Sequence, residues 1–242
     1  MDLPGKTAIV TGAGVRVGRA LALGLAQRGA NVVVHYNRSA GPAQEVVEEI
    51  HALGVGAIAA QADLASMAQL PMVVSAGVEA FGQVDILVNS AAIWEPGTVL
   101  DATEDNWDRH MTINCKAPFF LSQAFARNLA PGQRGHIINI VDWRAVRPGV
   151  AYVPYTIAKA GLLAMTKSLA VGLGPDVQVN AIAPGAILPP VGEDGGYFDR
   201  VAHTIPAKRT GAPGELVKAM LYLLDADFVT GELIYVTGGQ HL

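Results

Sequence analysis

Cysteine, aromatic and charged residues are all scarce in this chain of 242 residues, which has one cysteine, 6% aromatic residues and 16% charged residues. The single cysteine, Cys115, excludes an internal disulfide and is typical of a protein of the reducing cytoplasm. The net charge of −4 and the lack of a basic stripe argue against a nucleic-acid partner.

Long apolar runs and clusters of metal ligands are also missing. No run of roughly 18 apolar residues occurs, so no membrane span is expected. The opening residues MDLPG lack the basic and apolar regions of a secretory signal, and the six histidines do not cluster with other metal ligands. We therefore expect a cytoplasmic protein with no metal site.

Apolar residues make up 51% of the chain, enough for one buried core. Strand-length apolar runs alternate with helical stretches near 16–28, 42–53, 68–81, 104–128 and 153–173. Continuous hydrophobicity within a run indicates a strand covered on both faces. The pattern predicts an α/β Rossmann-type fold, doubly wound around a seven-stranded parallel sheet, with residues 1–242 forming a single domain. The seven runs are KTAIVTG, NVVVHY, VGAIAAQAD, VDILVNS, GHIINIV, VQVNAIAP and GELIYVTG.

One irregular segment, residues 184–214, is rich in proline and glycine. It is too long for an ordinary connection, which predicts a substrate lid over about 186–206. The alternative is a surface loop without a ligand.

The first strand is followed by TGAGVRVG, in which Gly12, Gly14 and Gly18 have the spacing G-x-G-x-x-x-G. Free N–H groups and the positive dipole end at a helix N-terminus suit a pyrophosphate. Arg16, within this loop, is predicted to contact a phosphate oxygen or a bound substrate. A plain strand–helix turn with a solvated arginine is the alternative.

The second strand ends without the carboxylate that binds the ribose hydroxyl of NAD. Arg38 and Ser39 instead offer N–H donors and a hydroxyl, which suit a 2′-phosphate and predict NADPH. Asp63 is predicted to accept from the adenine amino group, and Asn89 to shape the floor under the adenosine ribose. The strand-two turn reads His35-Tyr36-Asn37-Arg38-Ser39.

Tyr155 and Lys159 are four residues apart, on one face of a predicted helix. A free phenol has a pKa of about 10, which is too high for efficient proton transfer at neutral pH. The neighbouring ammonium of Lys159 is predicted to lower the pKa of Tyr155. Lys159 is also predicted to bind the nicotinamide ribose.

Together these motifs resemble the short-chain dehydrogenase/reductase family over essentially the whole chain. The resemblance implies that Tyr155 is the acid, that Lys159 modulates it and binds ribose, and that Asn114 holds a proton-relay water. The matching residues are Thr11, Gly12, Gly18, Asp63, Asn89, Asn114, Tyr155, Lys159, Pro184 and Gly185. The cofactor contacts expected besides are Val17, Tyr36, Asn37, Leu64, Ser90, Ala91 and Ile187.

Several positions depart from the family pattern. Arg16 replaces the middle glycine of T-G-x-x-x-G-x-G, Asp142 stands where the catalytic serine is usual, and Pro189 replaces a threonine. Arg16, Asp142 and the strand-two turn resemble the pteridine reductase branch, which includes bacterial dihydromonapterin and dihydrofolate reductases. In that branch an aromatic residue at the position of Trp94 stacks on the pterin.

The replacement of serine by aspartate has a chemical meaning. An ionised carboxylate only accepts hydrogen bonds, which suits a C=N bond in a ring bearing N–H and amino groups. Asp142 and Tyr155 are then expected to transfer a proton, Arg16 to face the pterin carbonyl, and Trp94 to stack on the ring. The predicted function is NADPH-dependent reduction of a dihydropterin or dihydrofolate. A capping role for Asp142 and ordinary packing for Trp94 remain open.

Two other functions remain open. One is reduction of 3-oxoacyl groups on acyl carrier protein, or of another ketone or alcohol; Asp142 and Val171 depart from the pattern of those carrier-protein enzymes. The other is an NADP-binding sensor without turnover, but such relatives lose Tyr155 or Lys159. The resemblance also implies a homotetramer assembled through the helices near 104–128 and 153–173.

Overall fold

The computed structural model describes residues 1–190, 192 and 196–242. Seven parallel strands form one sheet in the order β3-β2-β1-β4-β5-β6-β7, which confirms the predicted fold. The order reverses between β1 and β4, and this is where doubly wound sheets open a crevice at their carboxyl edge. The strands are β1 (Thr7–Val10), β2 (Asn31–Tyr36), β3 (Ala57–Gln61), β4 (Ile86–Asn89), β5 (Gly135–Ile140), β6 (Val177–Pro184) and β7 (Leu233–Val236).

Helices cover both faces of the sheet. The predicted single helix over 104–128 is interrupted by a π-helical turn at Thr112–Lys116, between α4 and α5. A 3-10 turn at Trp143–Ala145 follows β5, and α7 lies inside the segment predicted to be irregular. The helices are α1 (Arg16–Ala26), α2 (Ala40–Ala52), α3 (Leu70–Phe81), α4 (Glu104–Met111), α5 (Ala117–Asn128), α6 (Val153–Leu173), α7 (Tyr197–Ala202) and α8 (Pro213–Asp225).

Alternate residues of the central strands fill two separate apolar layers. Val10 of β1 belongs to the layer under α1, α2 and α8, whereas its neighbour Ile9 belongs to the layer under α3 and α5. Both side chains are completely buried. Burying a side chain of this size stabilises a fold by roughly 1.5–3 kcal/mol, and the continuous apolar runs of the sequence reflect these two layers.

Helix α6 is the one helix, among the described residues, that is long and apolar enough by length and composition to cross a membrane. It packs against β6, and its buried residues include Tyr155, Lys159 and Leu162. We therefore interpret α6 as a helix that packs one face on the sheet and leaves the other exposed. The predicted lid at about 186–206 includes residues 191 and 193–195, which lie outside the described residues.

Candidate active site

Two adjoining clefts open at the carboxyl edge of the sheet. The first, about 530 Å³, lies beside the ends of β2 and β3, and the second, about 660 Å³, lies beyond β4, β5 and β6. Gly12 and Val15 line both, so the clefts meet at the glycine loop. The first is lined by Tyr36, Asn37, Arg38, Ser39 and Asp63. Their predicted contacts with adenosine and a 2′-phosphate stay predictions. The second is lined by Arg16, Trp94, Asp142, Tyr155, Lys159 and Gln240 among others.

The glycine loop is a tight turn between β1 and α1. Gly12 has φ +65°, and a Cβ on Gly18 would lie 2.2 Å from the carbonyl oxygen of Gly12. Helix α1 begins at Arg16, and no side chain among the described residues caps its N-terminus. The first N–H groups of α1 therefore face the junction of the clefts without a side-chain acceptor, which is the arrangement that suits an anion.

Arg16 connects the glycine loop to the segment after β6. Its backbone is left-handed, with φ 54°, and its Nη2 donates to the carbonyl oxygen of Pro189 at 2.7 Å. A guanidinium carries five N–H donors, so this bond leaves donors for a ligand in the same cleft. The predicted contact with phosphate or substrate stays a prediction.

The carboxylate of Asp142 has two roles in this structure. Its Oδ1 caps the 3-10 turn by accepting the backbone N–H of Arg144 at 2.8 Å, and Nη1 of Arg144 lies 3.5 Å from the same oxygen. Its Oδ2 accepts the hydroxyl proton of Tyr155 at 2.9 Å. One oxygen therefore caps the turn and the other pairs with Tyr155. The predicted part of Asp142 in proton transfer stays a prediction.

The predicted lowering of the Tyr155 pKa is wrong. Burial, and next the charge of Asp142 together with its hydrogen bond, raise the pKa of Tyr155 well above its ordinary value, and Arg144 opposes this only in part. The ammonium of Lys159 does not offset the burial, because its Nζ donates to the carbonyl oxygen of Ile140 at 2.7 Å and lies 5.9 Å from the centre of the Tyr155 ring. The phenol is therefore protonated at neutral pH.

Lys159 is buried, with 2% of its surface exposed. Burial lowers its pKa to about 8, while the carboxylate of Asp142 and the thiol of Cys115 act in the opposite direction. At neutral pH the side chain is therefore still mainly an ammonium, and it lines the larger cleft.

Asn114 lies in the π-helical turn and positions the loop after β4. Its Nδ2 donates to the carbonyl oxygen of Ile93 at 2.9 Å, and its Oδ1 accepts the N–H of Ile93 at 3.0 Å. The side-chain amide is thus occupied by the loop that carries Trp94. The proton-relay water assigned to Asn114 by resemblance stays a prediction.

Trp94 lines the larger cleft and stacks on Tyr152, with ring centres 4.2 Å apart and an angle of 12° between the planes. Tyr152 is itself held in a left-handed conformation, with φ 59°. The indole is therefore supported by a second aromatic ring while it borders the cleft.

Two predicted cofactor residues, Asn89 and Leu64, line neither cleft. Asn89 is buried, and its Nδ2 donates to Oδ1 of Asn139 at 2.8 Å, so its side chain belongs to the interior and not to a ribose floor. The side chain of Leu64 is buried in the apolar layer under α3. The remaining predictions line the larger cleft, namely Val17, Ser90, Ala91, Pro184, Gly185 and Ile187.

Three site residues were missed by sequence reasoning. Arg144 pairs with Asp142, and Gln240 lines the larger cleft while its Oε1 accepts the N–H of Ala186 at 3.0 Å. The third, His35, contacts the glycine loop through its ring. An imidazole inside an otherwise apolar strand was the available signal for His35, whereas no spacing in the sequence indicates Gln240.

Comparison with known proteins decides the family. A family model described as enoyl-(acyl carrier protein) reductase matches residues 12–241. The chain belongs to the short-chain dehydrogenase/reductase family. Members of this family are oxidoreductases, so the chain is an enzyme of that class.

Relatives within the short-chain dehydrogenase/reductase family differ in substrate. The chain is 34% identical over 247 residues to the (2S)-[(R)-hydroxy(phenyl)methyl]succinyl-CoA dehydrogenase subunit BbsD of Thauera aromatica, covering 100% of this chain and 99% of that protein. It is 34% identical over 242 residues to the 3-oxoacyl-[acyl-carrier-protein] reductase FabG of Staphylococcus epidermidis, covering 98% and 99%. Among solved structures, the FolM alternative dihydrofolate reductase 1 of Brucella canis, complexed with NADP, superposes with a TM-score of 0.95 at 30% identity, covering 99% of this chain and 95% of that chain.

Proposed function

We propose that this protein is an NADPH-dependent reductase that transfers a hydride to a pteridine-type substrate, a dihydropterin or dihydrofolate. The observation that carries the proposal is the 2.9 Å hydrogen bond from the Tyr155 hydroxyl to Oδ2 of Asp142, at the position where the family usually has serine. The likeness to a solved alternative dihydrofolate reductase supports it.

The clefts suit a dinucleotide with a 2′-phosphate. The uncapped N-terminus of α1 would hold the pyrophosphate, and Arg38 and Ser39 at the other end would bind the 2′-phosphate. Asp63 would accept from the adenine, and Lys159 would donate to the nicotinamide ribose. NADPH, when bound there, supplies the hydride.

The remaining chemistry belongs to the side chains of the larger cleft. Tyr155 holds its proton at neutral pH because the pKa of its phenol is raised, so it serves as the proton donor. The carboxylate of Asp142 accepts from the N–H and amino groups of the substrate ring, and in concert with it the phenol of Tyr155 gives its proton to the ring nitrogen. The phenolate formed regains a proton from solvent before the next turnover. Arg16 would contact the pterin carbonyl, and Trp94 would stack on the ring. A ketone offers no N–H donors for Asp142.

A second candidate is reduction of a ketone, favoured by the 34% identity to the 3-oxoacyl-[acyl-carrier-protein] reductase. That reaction needs a donor to the carbonyl oxygen, which Tyr155 provides and Asp142 does not. An NADP-binding sensor without turnover is disfavoured, because Tyr155 and Lys159 are both present.

The deciding experiment measures NADPH consumption with dihydrobiopterin, dihydromonapterin and dihydrofolate beside acetoacetyl-CoA. We expect turnover on at least one pterin and its loss in Asp142→Ser. Asp105→Ser, at a side chain that is 80% exposed, is the matched control and keeps wild-type activity. If no pterin is reduced while acetoacetyl-CoA is reduced rapidly, the protein is a ketone reductase. If no acceptor is reduced although NADPH binds tightly, the protein is a sensor.

We also propose that residues 1–242 form one NADP-binding domain with a substrate lid at about 186–206, working as a cytoplasmic homotetramer. The largely apolar α6 and the exposed aromatic rings of Phe119 and Phe120 on α5 support contact between subunits. Light scattering coupled to gel filtration tests this, and a monomer would contradict it.

A further inference from the structure

His35 is a buried polar residue near the end of β2, with 1% of its surface exposed. Its Nδ1 lies 3.2 Å from the backbone nitrogen of Gly12, and its Nε2 lies 3.1 Å from the carbonyl oxygen of Ala62. Its own carbonyl oxygen accepts the N–H of Ala13 at 2.9 Å. One residue of β2 is thus bonded to the glycine loop and to the segment that follows β3.

The two ring contacts fix the tautomer of His35. The carbonyl oxygen of Ala62 only accepts, so Nε2 carries the proton. Nδ1 is then left with a lone pair, which accepts the N–H of Gly12. Burial lowers the pKa of the imidazole, which keeps the ring in this neutral form. An imidazolium would present an N–H at Nδ1 to the N–H of Gly12 and lose the bond.

Gly12 lies between two segments that approach it closely. Its φ of +65° favours glycine, and a Cβ there would lie 3.0 Å from the Cα of Ala91. The loop after β4 therefore limits Gly12 on one side, and His35 holds its N–H on the other. The residues that follow Gly12 lead directly into the uncapped N-terminus of α1.

We propose that His35 is a positioning residue for the dinucleotide: by accepting the N–H of Gly12, it holds the glycine loop in the conformation that receives the pyrophosphate. It acts through the loop and does not line either cleft. The inference rests on the proposed binding of NADPH, although not on the identity of the substrate that is reduced.

The test compares two replacements of His35. His35→Asn places Oδ1 where Nδ1 lies and so keeps an acceptor for Gly12, whereas His35→Phe keeps the ring shape without an acceptor. We expect the Kd for NADPH, measured by fluorescence titration of the full chain, to rise about tenfold in His35→Phe and to stay within about threefold in His35→Asn. The KM for NADPH should follow the Kd, while kcat changes by less than about twofold.

The matched control is His136→Phe. His136 is also buried, with 3% exposure, but it lies at the start of β5, the opposite end of the strand from the clefts. It should reduce stability without changing the Kd. His35→Leu serves as a smaller apolar variant where His35→Phe does not fold.

The outcomes separate this inference from the proposed function. Unchanged NADPH binding in folded His35→Phe or His35→Leu would overturn the positioning role alone. Equal loss of binding in His35→Asn and His35→Phe, at wild-type melting temperature, would overturn it as well. Failure of the wild-type protein to bind NADPH would instead overturn the proposed function, and this inference with it.

Discussion

The hydroxyl of Tyr155 donates to Oδ2 of Asp142 at 2.9 Å, while Oδ1 of the same carboxylate accepts the N–H of Arg144 at 2.8 Å. Both oxygens of Asp142 are thereby fixed in direction. Within the pair of Tyr155 and Asp142 the shared proton stays on the phenol, so Tyr155 can donate it when a hydride is transferred to the substrate. In the opposite, oxidising direction the same phenol would have to act as a base, for which its raised pKa is unsuited.

Removal of the Asp142 charge should therefore ease ionisation of Tyr155. In Asp142→Asn we expect the pKa of Tyr155 to fall, because the negative charge beside the phenol is lost. Tyrosinate absorbance during an alkaline titration measures this, with Asp142→Asn/Tyr155→Phe subtracted to isolate the residue. An unchanged titration would mean that burial alone sets the pKa.

Lys159 should impose an upper pH limit on activity. Because the pKa of its ammonium is lowered to about 8, its charge is present below that pH and is lost as the pH rises through it. We expect kcat/KM for NADPH to fall above this pH in the wild-type protein. Lys159→Met should have a low kcat/KM that does not fall further above this pH. Lys167→Met, on the exposed side of the same helix, should show the same fall as the wild-type protein. A flat profile in the wild-type protein would contradict the assignment.

Arg38 should decide the choice between NADPH and NADH. The side chain borders the smaller cleft, and a charge-assisted bond to a 2′-phosphate is worth roughly 10- to 100-fold in affinity. Arg38→Ala should weaken NADPH by that factor and leave NADH unchanged, as judged by Kd for each. Arg28→Ala, at an exposed arginine beyond the end of α1, should alter neither. Equal weakening of both cofactors would argue against a 2′-phosphate contact.

His136 should make the fold sensitive to acid. Burial first, and next the N-terminal ammonium, lower its pKa to about 4 from 6.5. The unfolded chain binds more protons between these values, so the free energy of unfolding should fall as the pH drops from about 6.5 to 4, by about 3 kcal/mol at most. Urea unfolding at several pH values should show a smaller acid loss in His136→Val than in the wild-type protein. Parallel pH curves would exclude His136 as the cause.

The fold follows from the sequence more fully than the electrostatics do. Continuous apolar runs predict the parallel strands, because both faces of the sheet are covered. The spacing of Tyr155 and Lys159 correctly gives a shared helix. It does not give the direction of the Tyr155 pKa shift, which depends on how much of the chain buries the phenol and on where the Lys159 ammonium points.

Side-chain direction at strand ends is similarly hidden. Asn89 and Ser90 are neighbours, yet the side chain of Asn89 turns into the interior while Ser90 borders the larger cleft. The sequence contains no signal for the partner of Asn89, because Asn139 is 50 residues away along the chain. The two hydrogen bonds between the Asn114 side chain and the backbone of Ile93 are hidden for the same reason, since these residues are 21 positions apart.

The interior amides have a consequence for where α6 can sit. Asn89 donates to Asn139 at 2.8 Å, Asn139 donates to the hydroxyl of Thr166 at 2.9 Å, and that hydroxyl donates to the carbonyl oxygen of Leu162. Apolar surfaces tolerate sliding, whereas a row of directional bonds across two strands and a helix fits at one axial position only. The row of hydrogen bonds therefore fixes the position of α6 along its own axis. If α6 were displaced by one turn, Tyr155 and Lys159 would no longer lie at the carboxyl edge of the sheet.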